Sequence, residues 1–501
     1  MVVLLAALTG LWSIRGEHLR PNTLIVAVRD ALQGWTPPPE LADHTRAALA
    51  GQLTNAMVLR ELGIQADELW DLLRRLGPGS GPPEVVAQVV IVLTGDPLDR
   101  AGEARLTALC ADPAPRVATG ARMWCSHARE NVGDLEGAAA LATQALATVP
   151  GDDGPWSRAM LHSQLAQLHA ALGRHEMADR YARLALPVLE RLGATDDAVQ
   201  LLAVTGMYAL TRRRFDEAER IFTAAEESGR THSGFGGGVA GATGMAELAL
   251  ARGEHAEGLR RYRGVVDQVR QWRFPGVSES SGYEPWTLFG ESSALAAHAL
   301  YAGGSDGADL DAALRRKVVR FVEPRRVVLD FPVLGQVCFG LGLWALRRVP
   351  PQCAAAPVDT AVRLLALADR FSYSRVSPSL AWEHAVRAAE DAAPGLLARM
   401  QVGYSSRRGP ALLDEARRVL ASHAAAEGGH GERGEDRDDD RARGEGPADL
   451  GGERAGVGEV ADRRHHVGHR VDLHEGGEPP GQRLHGDERV GQERQREHDH
   501  H

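Results

Sequence analysis

Lysine is almost missing from this sequence: Lys317 is the single lysine, and arginine supplies the other strongly basic side chains. A P-loop that binds nucleotide phosphates ends in Gly-Lys-[Ser/Thr], because the lysine ammonium has to reach the terminal phosphates. Lys317 stands between Arg316 and Val318, with no glycine before it. The sequence therefore excludes nucleotide hydrolysis of the P-loop type.

Cysteine is scarce as well, with four residues in a chain of 501. Cys110, Cys125, Cys338 and Cys353 are too few and too scattered for a disulfide framework or a C-x-x-C metal site. Because disulfides persist mainly in oxidising compartments, a reducing cytoplasm is the simplest location to expect for this chain.

The sequence also lacks a net positive charge, long apolar runs and catalytic motifs. The formal net charge is −10, which argues against direct binding to nucleic acid. The apolar start of the chain, residues 1–11, is shorter than the roughly 20 residues that span a bilayer, so we predict no membrane segment. We find no nucleophile with a nearby base, no paired carboxylates and no metal-ligand motif. The chain is therefore predicted not to be an enzyme and to use no cofactor and no metal ion.

What the sequence does contain is a short motif that returns at a fixed distance between residues 122 and 265. Its last positions, Ala138, Ala178, Ala218 and Gly258, are 40 residues apart. Each copy stands between two apolar runs of helical periodicity, so the repeating unit is predicted to be helix, tight turn, helix. A period of roughly 20 to 50 residues is typical of a solenoid, in which each hairpin buries its apolar face against its neighbours.

The third copy carries the packing pattern most clearly. Gly206 lies on its first helix, and Ala218, Phe222 and Ala225 form a stripe on its second helix at offsets of three and four residues. The small residues allow two backbones to approach each other, and Phe222 fills the space beside them. This pattern resembles the tetratricopeptide repeat, although the usual period of that repeat is about 34 residues.

The predicted fold class is all-α: an α-solenoid of tetratricopeptide-like helical hairpins, followed by a disordered C-terminal tail. We divide the chain into an N-terminal helical segment at 1–80, the 40-residue repeats at 84–272, C-terminal helical repeats at 273–421 and the tail at 422–501. In the third part, helical patterns run through residues 286–301, 311–321, 333–347, 358–371, 380–392 and 412–420. The tail is rich in Gly, Arg, Glu, Asp and His, and it has too few apolar residues to offset the entropy of ordering.

Four further stretches resemble a known family. They are residues 8–18 (LTGLWSIRGEH), 34–41 (GWTPPPEL), 329–335 (LDFPVLG) and 367–375 (LADRFSYSR) with 381–383 (AWE) after it. They resemble the C-terminal helical region of actinobacterial AfsR/SARP-type regulators, over residues 1 to about 421. In that family a winged-helix DNA-binding domain and a transcriptional-activator domain precede an NB-ARC-like ATPase and tetratricopeptide repeats. The resemblance implies repeats that bind a partner or an inducer and so regulate transcription, whereas the P-loop and a DNA-reading domain are lacking here.

The predicted function is a non-catalytic interaction and sensor module of a transcriptional regulator, which binds a protein partner in a concave groove lined by the first helices of the repeats. Aligning the copies places one residue of each first helix in a ladder with steps of 40 residues, and two more lie one turn along the first copy. These predicted contacts are His127, Gln167, Met207 and Glu247, together with Glu130 and Asn131. The alternative is a small-molecule inducer held by the solenoid, which would then signal to a separate regulator.

Overall fold

The computed structural model describes residues 1–58, 66–95, 100–231, 237–272, 282–321, 330–348 and 355–431 of the chain. Within these residues the fold is all-helical, and no strand is present. Helices α1 to α22 follow one another in the chain, and consecutive helices pack on their neighbours as in an α-solenoid. The predicted all-α solenoid is therefore confirmed.

Five of the first six helices, all except α2, contribute buried residues to a hydrophobic core at the N-terminus. The six helices are α1 (Val2–Ile14), α2 (Leu19–Thr23), α3 (Ile25–Leu32), α4 (Ala42–Val58), α5 (Asp67–Leu76) and α6 (Pro83–Val92). Leu49, Leu53 and Leu73 are fully buried within it. Thr9 of α1 lies against Gly51 of α4, where an added Cβ would come within 2.5 Å of the threonine hydroxyl. The close approach of α1 to α4 therefore depends on a glycine.

Four helical hairpins follow α7 (Arg100–Leu109) in the repeat region. Hairpin 1 is α8 (Pro115–Asn131) with α9 (Leu135–Thr148), hairpin 2 is α10 (Gly154–Ala171) with α11 (His175–Leu192), hairpin 3 is α12 (Thr195–Thr211) with α13 (Phe215–Thr231), and hairpin 4 is α14 (Gly237–Ala251) with α15 (His255–Gln271). The second helices begin 40 residues apart, so each step of the sequence period is one hairpin.

The same turn joins the two helices of every hairpin. One residue of the turn is left-handed, with φ of 81° at Gly133, 73° at Gly173, 56° at Arg213 and 85° at Gly253. The N–H of the following residue donates to the carbonyl five positions earlier, at 2.8 to 2.9 Å in all four turns. This is the Schellman ending of a helix, which favours glycine because a Cβ is strained at positive φ. Glycine therefore suits this turn in hairpins 1, 2 and 4, and Arg213 adopts the same conformation in hairpin 3.

The four positions that end the motif are equivalent in the structure. Ala138, Ala178, Ala218 and Gly258 are all buried, and each N–H donates to the carbonyl four residues earlier at 2.9 to 3.0 Å. The helix-packing role that the sequence predicted for them is confirmed.

Phe222 shows why hairpin 3 carries the clearest pattern. Its side chain is fully buried, and a Cβ added at Gly206 of α12 would lie inside 3.0 Å of the ring. Gly244 of α14 faces the ring from the next hairpin with the same restriction. Two glycines on neighbouring first helices thus make the space that one aromatic ring occupies.

Seven further helices follow among the described residues of the C-terminal part. They are α16 (Pro285–Tyr301), α17 (Ala308–Phe321), α18 (Phe331–Arg348), α19 (Ala355–Arg370), α20 (Trp382–Ala392), α21 (Leu396–Tyr404) and α22 (Leu413–Gly431). Six of them match the predicted helical patterns, whereas α21 was not predicted. A single hydrophobic core joins Leu334 and Phe339 of α18 to Ala246 and Tyr262 of hairpin 4. The predicted division at 272/273 therefore does not separate two cores.

The boundary predicted for the tail needs a correction, because α22 continues to Gly431 and residues 422–431 are helical. The alanine run at 424–426 has high helix propensity, and it extends a helix whose Leu420 is already buried. The described residues belong to one compact unit, and the second unit, Asp438–His501, lies outside them.

Candidate functional site

An extended segment of the C-terminal part lies against the repeats. Residues 372–379, which we call the strap, run from the end of α19 into the 3-10 turn Pro378–Leu380 before α20. Ser372 has a positive φ of 55°, which turns the chain away from the helix. Ser377 is extended, with φ −105° and ψ 146°, as expected for a residue before a proline. The strap is therefore neither helix nor sheet, and its contacts with hairpins hold its course.

The first part of the strap contacts the turn ends of hairpins 1 and 2. The hydroxyl of Ser372 donates to the carbonyl of Gly133 at 2.7 Å, and the N–H of Arg375 donates to the carbonyl of Ala171 at 3.0 Å. A Cβ at Gly133 would lie 2.9 Å from the carbonyl oxygen of Phe371, so this turn glycine also allows the strap to approach. Both contacts use backbone carbonyls of the hairpins.

The middle of the strap contributes Val376. Its side chain packs against the cluster that contains Ala166 and Leu201, and also against the cluster that contains Met207 and Phe222. Val376 therefore lies where hairpins 2 and 3 meet.

The end of the strap binds a buried carboxylate. Glu247 of α14 keeps 1% of its surface exposed. Its Oε2 accepts the N–H of Ser379 at 3.2 Å, and its Oε1 accepts both the hydroxyl of Ser379 and the hydroxyl of Tyr262. Three donors thus converge on one buried acid, which is the arrangement that a desolvated carboxylate requires.

Burial governs the protonation of this group. It raises the pKa of Glu247 above the usual value, although the hydrogen bonds from Ser379 and Tyr262 act in the opposite direction. Burial, together with the neighbouring Glu247, also raises the pKa of Tyr262 well above its usual range, so the phenol remains a donor.

Aromatic packing holds the strap to the C-terminal core. Tyr373 keeps 1% of its surface exposed, stacks on Phe339 with ring centroids 4.5 Å apart and donates its hydroxyl to the carbonyl of Leu380 at 2.9 Å. Arg375 lies over the Tyr373 ring at 5.4 Å and pairs with Asp369 at 2.8 Å. The strap therefore belongs to the C-terminal part through Tyr373 and contacts the hairpins through Ser372, Val376 and Ser379.

The predicted ladder divides into two halves in the structure. His127 keeps 49% of its side chain exposed, with Nδ1 3.6 Å from Oε2 of Glu130. Gln167 is half-buried, and its Nε2 lies 3.4 Å from the Ser163 hydroxyl oxygen. Asn131, the last residue of α8, is half-buried as well. These positions of hairpins 1 and 2 are open to a partner.

The other half requires a correction, because Met207 and Glu247 keep only 3% and 1% of their surface exposed. The strap provides the physical reason at Glu247, which it contacts directly, and Met207 lies in the cluster against which Val376 packs. In this structure the ladder is therefore not one exposed surface. The strap was not predicted from the sequence. The feature that could have indicated it is the break in helical periodicity at Pro378, between two helices.

A cavity of about 200 Å³ lies beside the start of the strap. Its charged lining consists of Arg370, Arg375, Arg408, Glu136 and Asp369. Arg370 donates to the carbonyls of Ser405 and Arg407 at 2.8 to 3.0 Å. Burial and, to a lesser extent, the charge of Arg408 lower the pKa of Arg370. Three arginine and two acidic side chains therefore face this cavity.

Two of the cysteines that looked scattered in the sequence are neighbours in space. The sulfurs of Cys110 and Cys125 lie 3.5 Å apart, and both thiols are free. A hydrogen bond from Cys125 lowers the pKa of Cys110 to about 7, and the same bond raises the pKa of Cys125. Cys110 is therefore the more reactive thiol of the pair. Cys353 lies outside the described residues.

Other kinds of site were sought in the part of the chain that the structure describes. No group of three or more His, Cys, Asp or Glu side chains is arranged there to hold a metal ion. None of the helices described combines the length and the apolar character needed to cross a bilayer.

The fold thus defines a class, an α-solenoid of helical hairpins that binds a segment of its own chain. A scan of the chain against protein-family models finds no match, and a search of curated proteins finds none either.

Proposed function

We propose that the protein is a non-catalytic, cytoplasmic helical-repeat module of a transcriptional regulator, and that it binds a protein partner through its first-helix face. This face is formed by α8, α10, α12 and α14, which carry the four ladder positions. Its regulatory role rests on the resemblance of residues 8–18, 34–41, 329–335 and 367–375 to the AfsR/SARP-type regulators. The repeat region itself supports the binding role.

The observation that carries the proposal is the strap. The repeats hold an extended segment through two of their backbone carbonyls, an apolar contact and a buried carboxylate. A surface that holds one extended segment in this way has the features by which an extended partner is recognised, namely main-chain bonds for affinity and side-chain contacts for specificity. His127 and Gln167 occupy the same ladder on hairpins 1 and 2, where the face is accessible.

The test replaces the accessible ladder residues together, as His127→Ala with Gln167→Ala. A protein that wild type captures from host lysate is purified and titrated against both forms by calorimetry. We expect the dissociation constant to rise about tenfold, the usual effect of losing contact residues at an interface. The matched control is Leu184→Ala, an exposed apolar residue on the second helix α11. Equal dissociation constants for wild type and the double variant would contradict binding at this face.

A second candidate function, sensing of a small molecule, is favoured by the cavity beside the strap. Arg370, Arg375 and Arg408 line it, and arginine binds a small carboxylate or phosphate through charge-assisted hydrogen bonds. A ligand there would contact Ser372 and Arg375 of the strap and so act on the segment that covers hairpins 3 and 4.

Thermal unfolding in the presence of small carboxylates and inorganic phosphate tests this second function. A ligand at 100 times its dissociation constant raises the free energy of unfolding by about 2.7 kcal/mol. Arg408→Ala should abolish the shift, whereas Arg180→Ala, an exposed arginine outside the cavity, should preserve it. A shift that survives Arg408→Ala would locate the ligand elsewhere.

A further inference from the structure

The contacts of the strap differ in how strongly they depend on the side chains of the bound segment. At hairpins 1 and 2 the acceptors are the carbonyls of Gly133 and Ala171, which take a donor from many residues. Further along the strap, Val376 packs on apolar side chains of hairpin 3 at its junction with hairpin 2, and Ser379 donates to the carboxylate of Glu247 on hairpin 4. Specificity therefore resides in a pair of residues three positions apart, at hairpins 3 and 4.

Glu247 makes the serine requirement strict. Two of its three donors, the N–H and the hydroxyl, come from Ser379, and the third comes from Tyr262. A segment without a hydroxyl at this position would leave a buried carboxylate short of a donor, which is unfavourable. Serine supplies both donors that Glu247 needs from the segment. The Tyr262 hydroxyl, which supplies the third, lies 3.4 Å from Ser379 Oγ.

The strap is an imperfect occupant of this surface. Ser377 keeps 2% of its surface exposed, yet its hydroxyl has no hydrogen-bond partner among the described residues. A buried hydroxyl without a partner is destabilising compared with a small apolar group of similar shape. A segment with alanine at this position would therefore bind better than the strap does.

We propose that hairpins 3 and 4 bind an extended partner segment of the pattern Val-Ala-x-Ser, and that the strap holds this site as an internal competitor. The inference rests on the proposed function and adds to it the chemistry of the partner. A partner that carries this pattern displaces residues 376–379 and supplies Glu247 with the donors that Ser379 gave. Binding at hairpins 1 and 2 does not require the strap to move.

Labelled peptides spanning residues 370–381 test the proposal in trans, with fluorescence anisotropy as the readout. The protein variant Val376→Ala/Ser379→Ala weakens the strap, and we expect it to bind the wild-type peptide at least about tenfold more tightly than the wild-type protein does. The peptide with Ser379→Ala should lose about tenfold in affinity, and the peptide with Ser377→Ala should gain several-fold. Ser374→Ala is the matched control peptide, because Ser374 is partly exposed and no hydrogen bond of its hydroxyl is found among the described residues, and its affinity should not change.

Native-state hydrogen exchange of the wild-type protein keeps the proposal testable if the double variant fails to fold. The amides of Arg375 and Ser379 donate to the hairpins, so a strap that leaves its site while the hairpins remain folded exposes them by local opening. We expect them to exchange faster than the amides of α18.

Exchange of the strap amides only through global unfolding, or equal affinities of the three altered peptides, would overturn the proposal. A partner that depends on His127 and Gln167 but is indifferent to the wild-type peptide would overturn it as well and leave the proposed function standing. If the peptides bind as expected but the His127→Ala/Gln167→Ala pair leaves partner binding unchanged, the site for the Val-Ala-x-Ser segment would stand and the proposed function at hairpins 1 and 2 would be overturned.

Discussion

Hairpins 1 and 2 differ from hairpins 3 and 4 in the side chain that fills one buried position of the second helix. Ala142 and Ala182 stand where Phe222 and Tyr262 stand, and all four side chains are fully buried. The turns and the starts of the helices are the same in both pairs. The same backbone thus accepts a methyl group or an aromatic ring, because the first helices opposite Phe222 carry glycine.

The aromatic position also decides where the strap binds specifically. The hydroxyl of Tyr262 donates to Glu247, and Glu247 accepts two hydrogen bonds from Ser379. Ala182 has no hydroxyl to offer at the equivalent place, and the ladder residue of its hairpin, Gln167, is half-buried rather than covered. At hairpin 4 the covered ladder residue thus bonds to a tyrosine hydroxyl, whereas at hairpin 2 the equivalent position is alanine and the ladder residue is half-buried.

Truncating the aromatic ring should have the largest effect. Phe222→Ala leaves a cavity between Gly206 and Gly244, and we expect it to lower the free energy of unfolding by about 3–5 kcal/mol. The matched change in the alanine pair, Ala182→Gly, should cost about 1 kcal/mol through helix propensity. Urea unfolding measures both, and similar losses would mean that the two pairs are not packed differently.

Filling the space beside the ring should have an intermediate effect. Gly244→Ala places a methyl group against Phe222, so overpacking should cost about 1–3 kcal/mol. Gly264 of α15 faces open space, and Gly264→Ala should instead stabilise the protein by about 0.5–1 kcal/mol. Changes of the same sign at the two glycines would contradict this account.

The pH dependence of Glu247 should follow with a smaller effect. Because burial raises its pKa in the folded state, its contribution to stability is fully present below the unfolded value near 4.5 and is lost as the pH rises through the folded pKa. Glu247→Gln stays neutral, so it should gain stability relative to wild type as the pH rises from about 4.5 to about 8.

Glu219 is the matched control for this titration, because a hydrogen bond from Arg252 lowers its pKa. Its contribution is present above the unfolded value and lost as the pH falls, so Glu219→Gln should lose stability relative to wild type at the higher pH values. Urea unfolding across the range compares the two variants. Parallel curves would show that Glu247 does not titrate as its burial indicates.

The last prediction concerns the reactivity of Cys110, whose sulfur contacts Cys125 of hairpin 1. The pKa of Cys110 is lowered to about 7, whereas burial raises the pKa of Cys338. Iodoacetamide at neutral pH should therefore modify Cys110 first, as mass spectrometry of the digested protein would detect. Cys125→Ala removes the hydrogen bond that lowers this pKa, so it should slow the reaction; an unchanged rate would exclude that cause.

Local features of the sequence predicted most of the fold. The 40-residue period, the turn glycines and the stripe of Ala218 and Phe222 act within one hairpin or between adjacent ones, so periodicity reveals them. The strap escaped prediction because its partners are distant in the chain: Ser379 and Glu247 are 132 residues apart. The burial of Glu247 follows from the same distant contact, and Met207 is buried in a cluster with Phe222 and Leu248 against which Val376 packs. No helix was predicted at α21.

The bond from Ser372 to Gly133 spans 239 residues of chain. In an open repeat array each unit contacts only its neighbours, so the terminal units can unfold while the central units remain folded. Here hairpin 1 is hydrogen-bonded to the strap, which follows hairpin 4 in the chain. Unfolding of either hairpin 1 or the C-terminal part would therefore break a contact that the other makes. We expect such a closed array to melt as one cooperative block and to fold slowly, since its final link must await the units on both sides.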